Sequence, residues 1–136
     1  MSLDRIVELV TAALPDGFRV YDGGVSDPVA DLPGEYLVIY PDTPLAVTGD
    51  VADTPTGRAF AWQVTTVVIA ADVKAIGDAR WRASWISERL RDHLTARRLT
   101  PGGQKIKHSS SQPAARDEQI TSRAVIAAMD RYTAIT

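Results

Sequence analysis

The spacing of apolar residues predicts two helices, each with one apolar side. The first covers residues 3–14 and is ended by the Pro-Asp-Gly sequence at 15–17. The second covers residues 73–98, where apolar residues recur at alternating steps of three and four, before the Pro-Gly-Gly sequence at 101–103. The apolar positions are Leu3, Ile6, Val7, Val10 and Leu14 in the first helix, and Ile76, Ala79, Ala83, Ile86, Leu90 and Leu94 in the second.

Alternating segments rich in β-branched and aromatic residues predict the strands. Short strands are expected at residues 18–21 and 36–40, and a small edge strand at 45–47. The segment from residue 59 to 68 is predicted to be a long central strand. The segment 124–136 is predicted to be a last strand that pairs with the central one. Loops are expected at 25–34 and through most of 43–58, and the polar segment 105–119 is expected to be an exposed hairpin or loop.

This order of elements predicts an α+β fold. Consecutive strands joined by turns favour a mostly antiparallel sheet of four to five strands. One apolar face of such a sheet needs a cover, and the two amphipathic helices provide it. No break in composition divides the chain, so we expect a single domain over residues 1–136.

Composition narrows the class of protein. The apolar fraction of 45% and charged fraction of 24% are typical of soluble globular proteins. The absence of cysteine excludes disulfides and thiolate chemistry, and no apolar run is long enough to cross a bilayer, so no membrane partner is expected. A formal net charge of −2 means that any contact with nucleic acid must come from a local basic patch.

The sequence offers no arrangement of residues that is typical of an active site. His93 and His108 are the only histidines: His93 lies on the second predicted helix and His108 in the predicted loop. The chain has no Gly-x-Ser-x-Gly motif, no phosphate-binding loop and no dinucleotide fingerprint. We therefore expect a protein that is not an enzyme, with no catalytic, cofactor-binding or metal-binding residues and no cofactor.

The tryptophans carry the strongest remaining signal. Trp62 is expected in the core of the central strand, whereas Trp81 and Trp85 are four residues apart on the second helix and share a side of it beside the apolar stripe. A helix that is apolar on more than one side is either deeply buried or contacts a partner. Both interpretations stay open from the sequence.

The order of the predicted segments and their amino-acid sequences resemble those of the tail terminator proteins of long-tailed phages, of the siphovirus and actinobacterial type. The resemblance covers nearly the whole chain and differs from the family pattern around residues 105–119. The segments that carry it are Leu14-Pro15-Asp16-Gly17, Val20-Tyr21-Asp22-Gly23, Tyr36-Leu37-Val38-Ile39-Tyr40-Pro41-Asp42, Gln63-Val64-Thr65-Thr66-Val67, Leu99-Thr100-Pro101-Gly102 and Asp130-Arg131-Tyr132.

The resemblance implies a structural virion protein. Such proteins form a ring, usually a hexamer, that caps the head-proximal end of the tail tube, ends tube polymerisation and provides the head-docking surface. The implied partners are further copies of the chain, the tail tube protein, the head–tail connector or stopper protein, the tape-measure protein and DNA in transit through the lumen. The implied location is the virion tail, after assembly in the host cytoplasm.

A ring places two demands on the subunit. A cyclic assembly needs two different contact patches per subunit, and tryptophan and arginine are enriched in such contacts. A loop that reaches inward would meet DNA phosphates through basic residues. The candidates for the subunit interface are Trp81, Arg82, Trp85 and Arg91. The candidates for a loop that faces the lumen are Lys105, Lys107, His108 and Arg116, and a solvated hairpin or a subunit contact stays open for this loop.

Other functions stay open at this point. In the same class, the chain is compatible with another head–tail joining protein, such as a stopper or completion protein, or with a minor tail protein. In a different class, a monomeric module could bind a small ligand or a peptide along the sheet edge near residues 45–47. An enzyme is the third alternative, which a copurifying metal or nucleotide would support.

Overall fold

Both apolar stripes become the buried sides of helices. The computed structural model describes residues 3–23, 34–41, 45–46, 58–70, 73–99, 101–117 and 124–135. Helix α1 spans Leu3–Ala13, and helix α2 spans Ile76–Leu94 after a 3-10 turn at Val73–Ala75. Helix α2 ends four residues earlier than predicted, where Thr95 donates both its amide and its hydroxyl to the carbonyl of Arg91.

Five of six strands follow one another across the sheet in the order β1-β2-β4-β6-β5, and β3 pairs separately with β4. As predicted, the last strand pairs with the central one, over eleven residue pairs from Ala59 and Ile135 to Ile69 and Val125. The strands are β1 (Arg19–Asp22), β2 (Glu35–Pro41), β3 (Leu45–Ala46), β4 (Arg58–Ile69), β5 (Lys107–Arg116) and β6 (Val125–Ile135).

The core lies between the helices and one face of the sheet. Trp62 of β4 and Tyr132 of β6 are paired neighbours with stacked rings 5.9 Å apart, and both are fully buried, as predicted for Trp62. Alternate residues of the central strands point to this face because successive side chains in a strand point to opposite sides. Leu37, Ile39, Val64, Ile86, Leu90 and Leu94 complete its centre together with Ile6, Leu9 and Val10 of α1.

The fold is α+β as predicted, but the sheet is mixed. Strand β1 pairs with β2 in parallel, with Arg19 opposite Tyr36 and Asp22 opposite Ile39. The prediction of a mostly antiparallel sheet is confirmed, since the other described strand pairs are antiparallel, and β1–β2 is the exception. The connection from Asp22 to Glu35 is about a dozen residues long, which is the length that a parallel return requires.

The prediction of a hairpin or loop within residues 105–119 was wrong. Residues Lys107–Arg116 form β5, which pairs antiparallel with β6. Most residues on both faces of β5 are exposed, so its serine-rich sequence lacks the alternation of apolar and polar residues that predicts a strand. Most of the loops predicted at 25–34 and 43–58, and Val47 of the predicted edge strand, lie outside the described residues.

Candidate subunit interface

Helix α2 presents a large aromatic side chain to the outside. Trp81 has 68% of its surface exposed, more than any other large hydrophobic side chain in the described residues. It lies nine residues from the fully buried Leu90, and nine steps of about 100° place the two on opposite sides of the helix. Trp81 therefore contributes nothing to the core of its own subunit.

Trp85 differs from Trp81 although the two share a side of the helix. It is partly buried against the core between α1 and α2, and two guanidinium groups lie over its ring: that of Arg82 at 4.8 Å and that of Arg89 at 5.3 Å. Arg89 is held in turn by a 2.7 Å hydrogen bond from its Nε to the carbonyl of Ala13. Trp85 is thus fixed at the surface of the subunit, whereas Trp81, one turn earlier on the helix, extends into solvent.

The two arginines of the predicted interface make contacts within the subunit. Arg82 donates two hydrogen bonds to Glu35, from Nε at 2.9 Å and from Nη2 at 3.0 Å, and so ties α2 to β2. The hydrogen bond to Glu35 raises the pKa of Arg82, although partial burial opposes this. Arg91 donates from Nη2 to Asp130 of β6 at 3.2 Å. Any partner that recruits these guanidinium groups has to share them with the two carboxylates.

Asp130 is the centre of a polar cluster that the sequence analysis did not identify. It is 1% exposed and accepts hydrogen bonds from the Ser87 hydroxyl and from Arg91, and its Oδ1 lies 2.9 Å from Nε2 of His108. These contacts join α2, β5 and β6 at one carboxylate. The sequence carried one signal, since Asp130 is a charged residue in a series of inward-facing apolar positions on β6.

The cluster contains Ser, His and Asp but not in the order of a catalytic triad. In a triad the histidine lies between the serine and the aspartate. Here Ser87 and His108 both contact Asp130, and Ser87 is buried. A groove of about 250 Å³ runs between α2 and β5 beside the cluster, lined by Ser84, Glu88, Arg91 and Gln112 among others. The arrangement is suited to holding a helix on a sheet.

Tyr132 completes the buried side of this cluster. Burial raises its pKa above the usual range, the negative charge of Asp130 adds to this effect, and the charge of Arg91 opposes it. The His108 ring meets the Tyr132 ring edge-on, with centroids 5.3 Å apart. His108 is thus held between Asp130 and Tyr132, in contrast to the flexible loop predicted for it.

The predicted lumen-facing residues do not form one patch. Lys107 and Arg116 are exposed at opposite ends of β5, which places them roughly 30 Å apart for a ten-residue strand. Lys105 is exposed near Lys107, just before the strand. His108 is partly buried on Asp130, so it is not free to extend toward a ligand.

The two ends of the strand order are poorly suited to pairing with another sheet. Strand β5 contains Pro113, which lacks an amide donor, and its pairing with β6 shifts register after His108 and after Gln112. Bulges, proline and terminal charges such as Lys107 and Arg116 are features that protect exposed strand edges. Strand β1, at the other end of the order, is only four residues long. Side-chain surfaces are therefore better suited to contact a further copy than strand edges are.

No cluster of three or more metal-ligating side chains occurs among the described residues. None of the helices that the structure describes combines the length and apolarity needed to cross a membrane. Compared with known proteins, the chain matches no protein-family model, and a search of curated protein sequences also returns no match.

Proposed function

We propose that this chain is a ring-forming tail terminator of a long-tailed phage, located at the head-proximal end of the tail tube. In this role it closes an assembly: copies of the chain surround the end of the tube, stop its growth and offer a surface to the head connector. The proposal starts from the resemblance in the order of sequence segments. The α+β fold, with two helices over a mostly antiparallel sheet, is compatible with it.

The observation that carries the proposal is the exposure of Trp81. A tryptophan that is 68% exposed, on the side of α2 opposite the core, leaves a large apolar surface in water. Such side chains are typical of the central contacts of protein interfaces. A second copy that covers this ring would remove it from water, and the partly buried Trp85 beside it extends the same surface.

The charged neighbours of Trp81 suit a contact that has to be specific. Arg82, which follows Trp81 in the helix and lies over the Trp85 ring, forms a bidentate pair with Glu35, and bidentate pairs have a defined geometry that a partner can recognise. Because the strand edges are protected or short, we expect the ring contact to use such side-chain surfaces. In a ring, the Trp81 surface would meet a different surface of the next copy.

The exposed basic residues define a weaker part of the proposal. Lys105 and Lys107 at one end of β5 and Arg116 at the other are exposed, and the ring would turn one of these ends toward DNA in transit. Widely separated single charges bind a polyanion weakly, because each releases few counterions. Weak binding agrees with a channel through which DNA has to slide.

The proposal is tested by locating the chain in phage particles and by measuring the mass of the isolated protein. Labelling of the chain in particle images should place a ring at the junction of tail and head. Light scattering at high protein concentration should show a closed oligomer, about six copies if the ring is of the usual kind. A label at the connector itself would instead identify a stopper or completion protein.

A matched pair of variants on α2 tests the surface. Trp81→Ala should prevent ring closure, so that tails form but do not join to heads. Arg80→Ala changes the neighbouring exposed residue on the same helix and should leave assembly intact. A chain that is absent from particles and monomeric at every concentration would exclude the function.

A further inference from the structure

The outer side of α2 carries a row of side chains whose charges are arranged with internal symmetry. We call this row the α2 ridge and define it by Asp78, Trp81, Trp85, Arg89 and Asp92 of α2 together with Lys74 of the 3-10 turn that precedes the helix. The two tryptophans lie at its centre, and charged residues flank them on both sides. Lys74, Asp78 and Asp92 are exposed and make no ion pair with any residue that the structure describes.

The spacing of the ridge is self-complementary when the helix is reversed. In an antiparallel pair of α2 helices centred near residue 83, position 81 of one copy lies opposite position 85 of the other. Asp92 of one copy lies near the start of the other helix, where Lys74 precedes it in the 3-10 turn. Trp81 therefore meets Trp85 of the second copy twice, and Lys74 meets Asp92 twice. Both kinds of contact are favourable, since aromatic rings pack on one another and opposite charges attract.

The remaining charges follow the same rule. At about 100° per residue, Asp78 and Arg89 lie on the same flank of the ridge, some 60° and 80° from Trp81. A two-fold axis across an antiparallel pair keeps each flank on its own side, so Asp78 faces Arg89 of the second copy, whose Nε stays bonded to Ala13 of its own subunit. Glu88 lies at the height of Asp78 of the second copy but on the opposite flank, beside Gly77, where the absence of a side chain leaves room.

We propose that the free chain forms a two-fold dimer in which the α2 ridges of two copies pack antiparallel. A two-fold contact uses the same surface on both copies and is complete with two. It differs in this from a ring contact, which needs two different surfaces. The dimer does not depend on the proposed ring, although a copy paired in this way has Trp81 covered and unavailable for another contact.

The extent of the contact sets the expected affinity. One pair of helices buries less than the ~1,200 Å² that marks the lower limit of stable complexes. We expect a reversible dimer with a dissociation constant in the micromolar range, weakened by salt because its outer contacts are exposed ion pairs. Such a dimer dissociates readily when another surface competes for Trp81.

Sedimentation equilibrium of the full chain tests the proposal. The wild-type chain should show a monomer–dimer equilibrium, and Trp81→Ala should raise the dissociation constant at least tenfold. Asp92→Lys should weaken the dimer because the introduced ammonium group would face Lys74 of the second copy. Adding Lys74→Asp to Asp92→Lys restores opposite charges across the two-fold axis, and the double variant should recover most of the lost affinity.

A charge change elsewhere provides the control. Asp16→Lys alters the net charge by the same amount as Asp92→Lys, but it lies in the exposed turn after α1, and it should leave the dimer unchanged. A wild-type chain that stays monomeric, or a double variant no tighter than Asp92→Lys alone, overturns the proposal. A closed ring with no dimer at any concentration also overturns it and leaves the tail terminator function standing. A dimer that depends on the ridge, in a chain absent from phage particles, supports this inference and excludes that function.

Discussion

Ser87 on α2 donates its hydroxyl to the carboxylate of Asp130 on β6, and the carboxylate is almost wholly removed from solvent. The same carboxylate receives Arg91 from the next turn of the helix and His108 from the neighbouring strand. One acidic side chain thus fixes the position of α2 over two strands. The exposed side of α2, with Trp81, is oriented by this contact.

Asp130→Asn should destabilise the protein. The amide retains the shape of the carboxylate and one acceptor oxygen but loses the negative charge, so Arg91 loses its ionic partner and His108 loses a charged acceptor. Because Arg91 is partly exposed, we expect a loss of about 2–4 kcal/mol in the free energy of unfolding. Urea denaturation followed by circular dichroism measures it. Asp92→Asn, on the exposed side of the same helix, should change this free energy by less than about 0.5 kcal/mol. Equal effects of the two variants would contradict the role given to Asp130.

Thr66→Val should stabilise the protein. Thr66 is fully buried on β4, and its hydroxyl has no hydrogen-bond partner among the described residues. Replacing an unpaired buried hydroxyl by a methyl group of the same shape should raise the free energy of unfolding by about 1 kcal/mol. The adjacent Thr65 accepts a hydrogen bond from Gln63 at 3.3 Å, so Thr65→Val should bring no such gain. A loss of stability in Thr66→Val would show that the hydroxyl has a partner.

Two glycine substitutions should have opposite effects. A Cβ atom would meet nothing within 4 Å at Gly77 or at Gly17, so neighbouring atoms do not decide the outcome. Gly77 lies within α2, where alanine is favoured over glycine, and Gly77→Ala should stabilise the protein by about 0.5–1 kcal/mol. Gly17 has a φ of +77°, which disfavours residues with a side chain, and Gly17→Ala should destabilise it by about 1 kcal/mol. Thermal denaturation of both variants provides the measurement, and a shift of the same sign in both would contradict the local backbone geometry.

His93 should make stability depend on pH. Its pKa lies below the usual 6.5, first because burial disfavours the charged form and then because Arg97 and Arg89 repel the charge. The unfolded chain therefore binds a proton more readily than the folded one, so stability is highest above pH 6.5 and falls as the pH decreases through the folded pKa. Urea denaturation between about pH 7.5 and about pH 5 should show a smaller loss for His93→Gln than for the wild type. Parallel curves for the two proteins would exclude this contribution.

The packing core was accessible from the sequence because it depends on periodicity. The stripe from Ala79 to Leu94 is buried as predicted, and so is Trp62. The pairing of β6 with β4 was predicted from two alternating segments that have to share one apolar face, whereas its register came from the structure. The parallel pairing of β1 was not accessible, since the direction of a strand depends on the path of the connection before it.

The polar contacts were the least predictable part. His108 lies in a segment whose serines and lysines are typical of a loop, and its position depends on Asp130, which is distant in sequence. Arg82 and Arg91 were predicted to contact a neighbouring subunit, but Glu35 and Asp130 reach them from strands of the same subunit. The helical period shows on which side of the helix a residue lies, but it does not show which side chains of the sheet contact that residue.

The sequence by itself determined the two helices, the central strands and the α+β class, because these depend on the repeat of apolar residues along the chain. Only the tertiary structure decided the parallel strand, the strand conformation of Lys107–Arg116 and the contacts around Asp130, because each depends on residues far apart in the chain. It also separated Trp81 from Trp85. A spacing of four residues places both on one side of the helix, but only Trp85 packs against the core.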